Sequence, residues 1–239
     1  MAETKTITFE IERKNPDNGD EPYWDEFEVE CNRMDRVLDA LQKIRGEKDG
    51  SLAFRKSCAH GVCGSDAMNI NGQNRLACQT LLDDLGFPNT VTIRALPAMD
   101  TIKDLVVDME RFEQKTKSIE PYQIEKSDMP ADQERIQSPE EQELIEESTT
   151  CIQCGACTSS CPSTWNNPDY IGPAAMLKAF RYTFDSRDEG ADERLEALDV
   201  SDGLWRCHTI FNCVEACPKD INLTWHISEL KKAATDREL

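Results

Sequence analysis

Residues 151–162, CIQCGACTSSCP, restrict what this chain can fold into more than any other stretch. Four cysteines spaced by two, two and three residues and closed by a proline form a ligand run for iron–sulfur clusters, in which the first three thiolates take one cluster and the fourth takes another. Such a run needs a second one nearby in the fold. Residues 207–218, CHTIFNCVEACP, supply it, and overlaying the two aligns Cys151, Cys154, Cys157 and Cys161 with Cys207, Ile210, Cys213 and Cys217. One ligand position has become aliphatic.

Crossed ligation then groups Cys151, Cys154, Cys157 and Cys217 around one cluster and Cys207, Cys213 and Cys161 around the other. Four thiolates suit a [4Fe-4S] centre, and three suit a [3Fe-4S] centre whose missing iron corner faces Ile210. A pair of zinc sites is the competing structural reading. Zinc accepts four thiolates, but three-cysteine zinc sites usually recruit a histidine, and the spacing is that of the cluster run.

Composition narrows the setting. In 239 residues, 38% hydrophobic and 31% charged, there is room for two ordinary domains of a soluble globular protein. No apolar run reaches the roughly 20 residues of a membrane helix, and the N-terminus lacks the regions of a signal peptide. A formal net charge of -19 argues against nucleic acid and against direct docking on anionic lipid. Eleven cysteines without a secretory signal read as ligands before disulfides. A cytoplasmic chain that reaches a membrane only through a partner is the expectation.

At the N-terminus, Ile7, Phe9 and Ile11 alternate with Thr8, Glu10 and Glu12, the period of a half-buried strand. After a loop over residues 15–22, Phe27, Val29 and Cys31 alternate with glutamates, so a second strand returns as an antiparallel hairpin. Cys31 falls in phase with the apolar face and reads as a small core residue. Asp35 is placed to cap a helix carrying Val37, Leu38, Leu41 and Ile44, with Gly46 to end it. Another strand follows at residues 91–94. Strand, strand, helix, loop and strand predict a compact sheet with a helix across it, a ferredoxin-like β-grasp.

The loop inside this domain, SCAHGVCGSDAMNINGQNRLAC, offers Cys58, Cys63 and Cys78. A plant-type [2Fe-2S] site wants Cys, four residues, Cys, two residues, Cys and a distant fourth Cys. Asp66 stands at the third position; its carboxylate is a harder donor than thiolate but binds ferric iron. A surface acid beside a three-cysteine site is the alternative for Asp66. Gly61 and Gly64 suit a loop that wraps closely and turns its N–H groups inward. His60, between ligand positions, is better placed to face solvent or a partner.

Leu105, Val106, Met109 and Phe112 suggest a short helix leading out of the domain. Residues 113–137 are charged and polar, interrupted by Pro121 and Pro130, and read as a connection packed over a neighbouring surface. Ser138, Pro139 and Glu141 then form a capping box with proline at the first helical position. Pro173 opens a helix with Met176, Leu177 and Phe180 on one side, and Asn222 precedes Leu223, Ile227 and Leu230 at helical spacing. The fold class is α+β: a plant-type ferredoxin β-grasp domain over 1–112, a connection over 113–137, and an all-α bacterial-ferredoxin-like domain over 138–239.

A [2Fe-2S] domain followed by a helical domain whose second run lacks one cysteine resembles the iron-sulfur subunits of succinate:quinone oxidoreductase, respiratory complex II. The resemblance covers nearly the whole chain in order and domain length. It implies a flavoprotein subunit that oxidises succinate at covalent FAD, and electrons passing singly through [2Fe-2S], [4Fe-4S] and [3Fe-4S] centres to quinone beside membrane anchor subunits, which can contain haem. The chain would be held peripherally on the cytoplasmic face of the cell membrane. No Gly-x-Gly-x-x-Gly fingerprint occurs, in keeping with a flavin held elsewhere.

By position, the resemblance assigns quinone contact to Pro162, Ser163, Trp165, His208 and Ile210. Trp165 offers a flat wall with one donor, and a histidine can serve a proton-coupled site. Core packing for Trp165, and a scaffold or haem-propionate role for His208, stand as alternatives. Many members have two adjacent tryptophans there, whereas Trp165 is followed here by Asn166. A quinol:fumarate reductase subunit, the same architecture run in reverse, and a free-standing multi-cluster ferredoxin are the rival readings.

Overall fold

A computed structural model describes residues 4–19, 21–128 and 133–238, so Pro130 of the connection lies outside the described residues. The described residues form two compact units that do not follow chain order. One takes the residues up to Met109 together with Ile152–Ser160; the other takes Glu110–Cys151 and the chain from Cys161 onward.

The first unit is built on β1 (Thr4–Arg13) and β2 (Tyr23–Asn32), an antiparallel pair in which Ile7 faces Val29 and Phe9 faces Phe27. β5 (Thr90–Arg94) runs parallel to β1, and β3 (Ala67–Ile70) pairs with both β5 and β4 (Gln73–Leu76), giving the order β2-β1-β5-β3-β4. Ile7, Phe9, Ile11, Val91 and Ile93 are all fully buried, so the period-two pattern does place one face of the sheet on the core. Cys31, 1% exposed, is part of that core. Arg13 ends β1 among the carboxylates of Asp25, Asp49 and Asp104, at 2.7–2.9 Å, which is how a 2% exposed guanidinium is tolerated.

Three local expectations are corrected. α1 (Val37–Lys43) takes Arg36 as its N-cap, because the Asp35 carboxylate turns back to the Asn32 N–H at 3.0 Å and to Lys43 at 3.2 Å. Gly46 does not end the helix; the chain widens into a π turn over Ile44–Lys48 that carries Gly46 within it. Leu105 and Val106 belong to no helix: β6 (Thr101–Lys103) pairs with β7 (Val106–Val107), and α2 (Glu110–Lys117) begins only after them. The β3–β4 hairpin turns at Asn71 and Gly72, whose φ of +49° and +83° are those a tight primed turn requires.

The second unit is helical: α2, α3 (Pro139–Thr149), α5 (Pro162–Asn166), α6 (Pro173–Thr183), α7 (Ala191–Leu198), α8 (Asn212–Glu215) and α9 (Leu223–Glu238). A further turn, α4 (Ala156–Ser159), belongs to the first unit. The capping box of α3 is formed, with Ser138 Oγ accepting from Glu141 N and Glu141 Oε2 accepting from Ser138 N at 2.7 Å. Ile145, Tyr170, Met176, Phe180, Leu198, Ile227 and Leu230 make the core.

The connection is strapped onto this unit. The Glu120 and Tyr122 carbonyls accept from Arg194, whose guanidinium also pairs with Asp188 at 2.6 Å with both side chains fully buried, and Glu189 N donates to the Ile124 carbonyl.

Candidate metal centres

The cysteine loop of the first unit runs through three left-handed residues, Ala59 at φ +60°, Gly61 at +76° and Gly64 at +68°. This winding aims backbone donors inward. Cys58 Sγ accepts from the N–H groups of Cys63 (3.3 Å), Val62 (3.4 Å) and His60 (3.5 Å). Those donors, the His60 and Val62 amides above all, draw the Cys58 thiol down to about 6, so the thiolate is the favoured form. His60 is exposed and its Nδ1 lies 2.7 Å from the Cys58 carbonyl, so its ring is turned from the thiols.

Asp66 is 2% exposed. Its Oδ2 accepts from Cys78 N at 2.6 Å, while among the described residues Oδ1 has no hydrogen-bond partner. Burial first, and the Asp66 carboxylate beside it, push the Cys78 thiol up to about 12. A buried carboxylate next to a buried thiol fits a ligand pair, and a buried oxygen left without a partner carries a desolvation cost. Asp66 is therefore no surface acid.

Gly64 also explains how this loop meets the first cysteine run. A Cβ there would lie 2.7 Å from Cys154 Cβ, so the missing side chain is what lets Cys154 pack directly on the loop. Gly155 is hemmed in likewise, its notional Cβ 2.8 Å from Met99 Cε. Cys154 and Cys157 belong to the first unit; Cys151 and Cys217 belong to the second, where burial raises the Cys217 thiol and Cys151 adds to the effect.

Within the second unit, Cys161, Cys207 and Cys213 line a narrow cleft together with Pro162, Ser163, Tyr170, His208 and Ile210. Burial, then the neighbouring Cys161 and Cys207, push the Cys213 thiol up to about 12. Tyr170 is fully buried, and its phenol is held well above its ordinary range by burial and by the three sulfurs around it. Ser163 Oγ donates to the Arg206 carbonyl at 2.9 Å, and Lys231 Nζ donates to the Cys207 carbonyl at 2.8 Å.

Of the five residues considered for quinone contact, the cleft brings together Pro162, Ser163, His208 and Ile210. Trp165 stands one turn along α5, outside that lining and 54% exposed, which removes core packing as its role. Tyr170, Thr209, Phe211, Asn212 and Thr224 also line this cleft, and spacing does not single them out. Tyr170 carried one usable signal, its place just ahead of the helix-opening Pro173.

The two runs share a backbone. Gln153 and Gly155 have φ of +55° and +81°, and their counterparts Thr209 and Phe211 have +55° and +72°. A single helical turn follows in each, α4 and α8. Among the described residues no cysteine is in a disulfide, and no three His, Cys, Asp or Glu side chains close on a point suited to one metal ion.

Comparison with known proteins gives two domain matches: a 2Fe-2S iron-sulfur cluster binding domain over residues 8–114 and a 4Fe-4S dicluster domain over residues 143–218. The chain is 45% identical over 219 residues to the succinate dehydrogenase iron-sulfur subunit of Coxiella burnetii, covering 90% of this chain and 92% of that one. It is also 45% identical over 231 residues to the mitochondrial succinate dehydrogenase [ubiquinone] iron-sulfur subunit of Candida glabrata, with 94% and 90% covered. Among solved structures, a chain of the Mycobacterium smegmatis Sdh1 complex in the apo form superposes with a TM-score of 0.86 at 26% identity, covering 98% of each chain.

Proposed function

Since the chain belongs to the iron-sulfur subunits of succinate dehydrogenase, we propose that it carries electrons singly from a succinate-reduced FAD on a flavoprotein subunit to a membrane quinone. The bound clusters supply the one-electron carriers. The protein's part is to hold them at close range, exclude water and set their potentials through ligand type, burial and hydrogen bonds to sulfur.

Cys58, Cys63, Asp66 and Cys78 would hold the [2Fe-2S] centre of a β-grasp domain. Cys151, Cys154, Cys157 and Cys217 would hold [4Fe-4S], and Cys161, Cys207 and Cys213 would hold [3Fe-4S]. The observation that carries the relay is the seat of Cys154 on Gly64, which leaves no side chain between a ligand of one centre and the loop of the next. Electron transfer slows steeply with separation, so a glycine at the crossing point serves rate directly. Cys58 keeps its charge through the amides of His60, Val62 and Cys63.

The cleft bearing Pro162, Ser163, His208 and Ile210 is the part of this chain that would meet quinone, with the exposed Trp165 offering a further contact from α5. No helix among the described residues is long and apolar enough to cross a membrane, so the chain would be held peripherally through anchor subunits, haem-containing or not, on the cytoplasmic face. Curated relatives named for succinate dehydrogenase do not favour the reverse-running fumarate reductase or a free-standing ferredoxin.

The test is purification from native membranes. A co-purifying subunit with covalent flavin fluorescence, and three cluster signals reduced by succinate, are expected; a monomer that leaves the membrane without a flavoprotein would sink the reading. For the loop, Asp66→Cys should keep the [2Fe-2S] spectrum and Asp66→Ala should lose it. Retention in Asp66→Ala would remove Asp66 from the ligand set.

A further inference from the structure

We propose that Ser65 is a positioning residue of the centre in the cysteine loop of the first unit, its hydroxyl donating a hydrogen bond to Cys63 Sγ and thereby raising the reduction potential of that centre. This rests on the reading that Cys58, Cys63 and Cys78, with Asp66, hold a [2Fe-2S] cluster.

Ser65 Oγ lies 3.2 Å from Cys63 Sγ. Either atom could supply the proton while the cysteine is a thiol, but a ligand thiolate has none to give, so the hydroxyl becomes the donor. A hydrogen bond to a charged acceptor is the stronger kind. Among the described residues this sulfur is the one partner of the Ser65 hydroxyl, so no other protein group competes for its proton.

The backbone that carries Ser65 is held on both sides. Gly64 is packed on Cys154, and its carbonyl accepts from Ala67 N at 3.4 Å, which makes Ser65 and Asp66 the middle of a turn. The Asp66 carbonyl accepts from Ala77 N at 3.1 Å. Only a short side chain is left to order, and the entropy lost in fixing it is small.

The first two sulfurs of the loop are served differently. Cys58 Sγ accepts from three backbone amides, whereas Cys63 Sγ has the Cys58 amide at 3.5 Å and the Ser65 hydroxyl nearer at 3.2 Å. The amides come with the winding of the loop; the hydroxyl comes from one residue and can be removed with it. Cys63 is exposed, so a donor fixed by the turn takes a place that mobile water would otherwise fill. When the centre accepts one electron its negative charge grows, and an O–H aimed at sulfur stabilises that form more than the oxidised one. The potential rises accordingly.

The experiment is an EPR-monitored redox titration of the intact membrane complex carrying Ser65→Ala. The [2Fe-2S] midpoint should fall by about a threefold to tenfold change in the reduced-to-oxidised ratio, tenfold being about 59 mV for one electron. The other two midpoints should stay. Ser65→Thr, which keeps the hydroxyl, should hold the midpoint near that of the unmodified protein.

An unmoved midpoint in Ser65→Ala would overturn the proposal, and so would a fall in Ser65→Thr as large as that in Ser65→Ala. If Ser65→Ala fails to retain the cluster, the same substitution made together with Asp66→Cys, which completes a set of four thiolates, decides against Asp66→Cys alone: a fall sustains the proposal, and either an unmoved midpoint or loss of the cluster there as well counts against it. Absence of a [2Fe-2S] signal from the reduced unmodified protein would defeat the cluster reading itself, whereas a signal that ignores these substitutions defeats only the role of Ser65.

Discussion

At the fifth place of the first cysteine run the chain has Gly155, at φ +81°; at the same place of the second run it has Phe211, at φ +72°. A left-handed conformation costs an ordinary residue about 1–2 kcal/mol, so conformation alone would favour glycine at both. What separates them is space. Gly155 faces Met99, Met109 and Leu96, all within 4 Å of a notional Cβ, while Phe211 is 51% exposed. The winding of the run is common to both copies, and the surroundings decide which side chain it can carry.

The same contrast holds one place earlier. Cys154 packs on the first unit's core and on Gly64, whereas Ile210 is 48% exposed on the rim of the cleft. A run that keeps its backbone can lose a ligand without losing its shape. Three substitutions probe this.

Gly155→Phe, which writes the second run's residue into the first, should be the most damaging. Phenylalanine would bring about 1–2 kcal/mol of left-handed strain that glycine does not have, and overpacking of about 1–3 kcal/mol adds to it. A urea unfolding midpoint for the first unit as high as that of the unaltered protein would show that the pocket around Gly155 yields, and the contrast of space would fail.

Ile210→Cys restores the fourth thiol on the shared backbone. The [3Fe-4S] signal should give way to a [4Fe-4S] one, with the midpoint lower by at least about tenfold in the reduced-to-oxidised ratio, about 59 mV. An unchanged EPR signal and midpoint would mean that Ile210 does not occupy the missing ligand's place.

Phe211→Gly should do least. Relief of about 1–2 kcal/mol of strain is offset by the loss of a half-buried aromatic side chain, leaving a net change within about 1 kcal/mol in thermal or urea unfolding. A large destabilisation would reveal packing by Phe211 that exposure does not suggest.

Patterns carried by neighbours along the chain were legible. The alternation of Ile7, Phe9 and Ile11 and the Ser138, Pro139 and Glu141 cap describe interactions closed within a few residues, and both appear as read. Asp35 and Gly46 misled because their outcome depended on distant competition: Asn32 and Lys43 claimed the carboxylate, and the helix widened past the glycine. Asn71 and Gly72 announced a hairpin that the cysteine pattern around them obscured.

At the site, spacing grouped Cys161, Cys207 and Cys213, and all three line one cleft. Spacing could not reach Tyr170, which the fold buries in that same cleft. Nor could it reach Gly64, which matters for what it omits.

Assignment of residues 152–160 to the first unit bears on the order in which the chain can mature. Asn74 Nδ2 donates to Ser160 Oγ at 2.8 Å, across 86 positions of sequence. During synthesis at about 5–20 residues per second, Asn74 waits roughly 4–17 s for that partner to be made. Until then the sheet lacks the segment that covers its β4 side, and the loop lacks Cys154. The N-terminal half cannot be finished first and the C-terminal half added afterwards; the seal on the earlier half is delivered from within the later one.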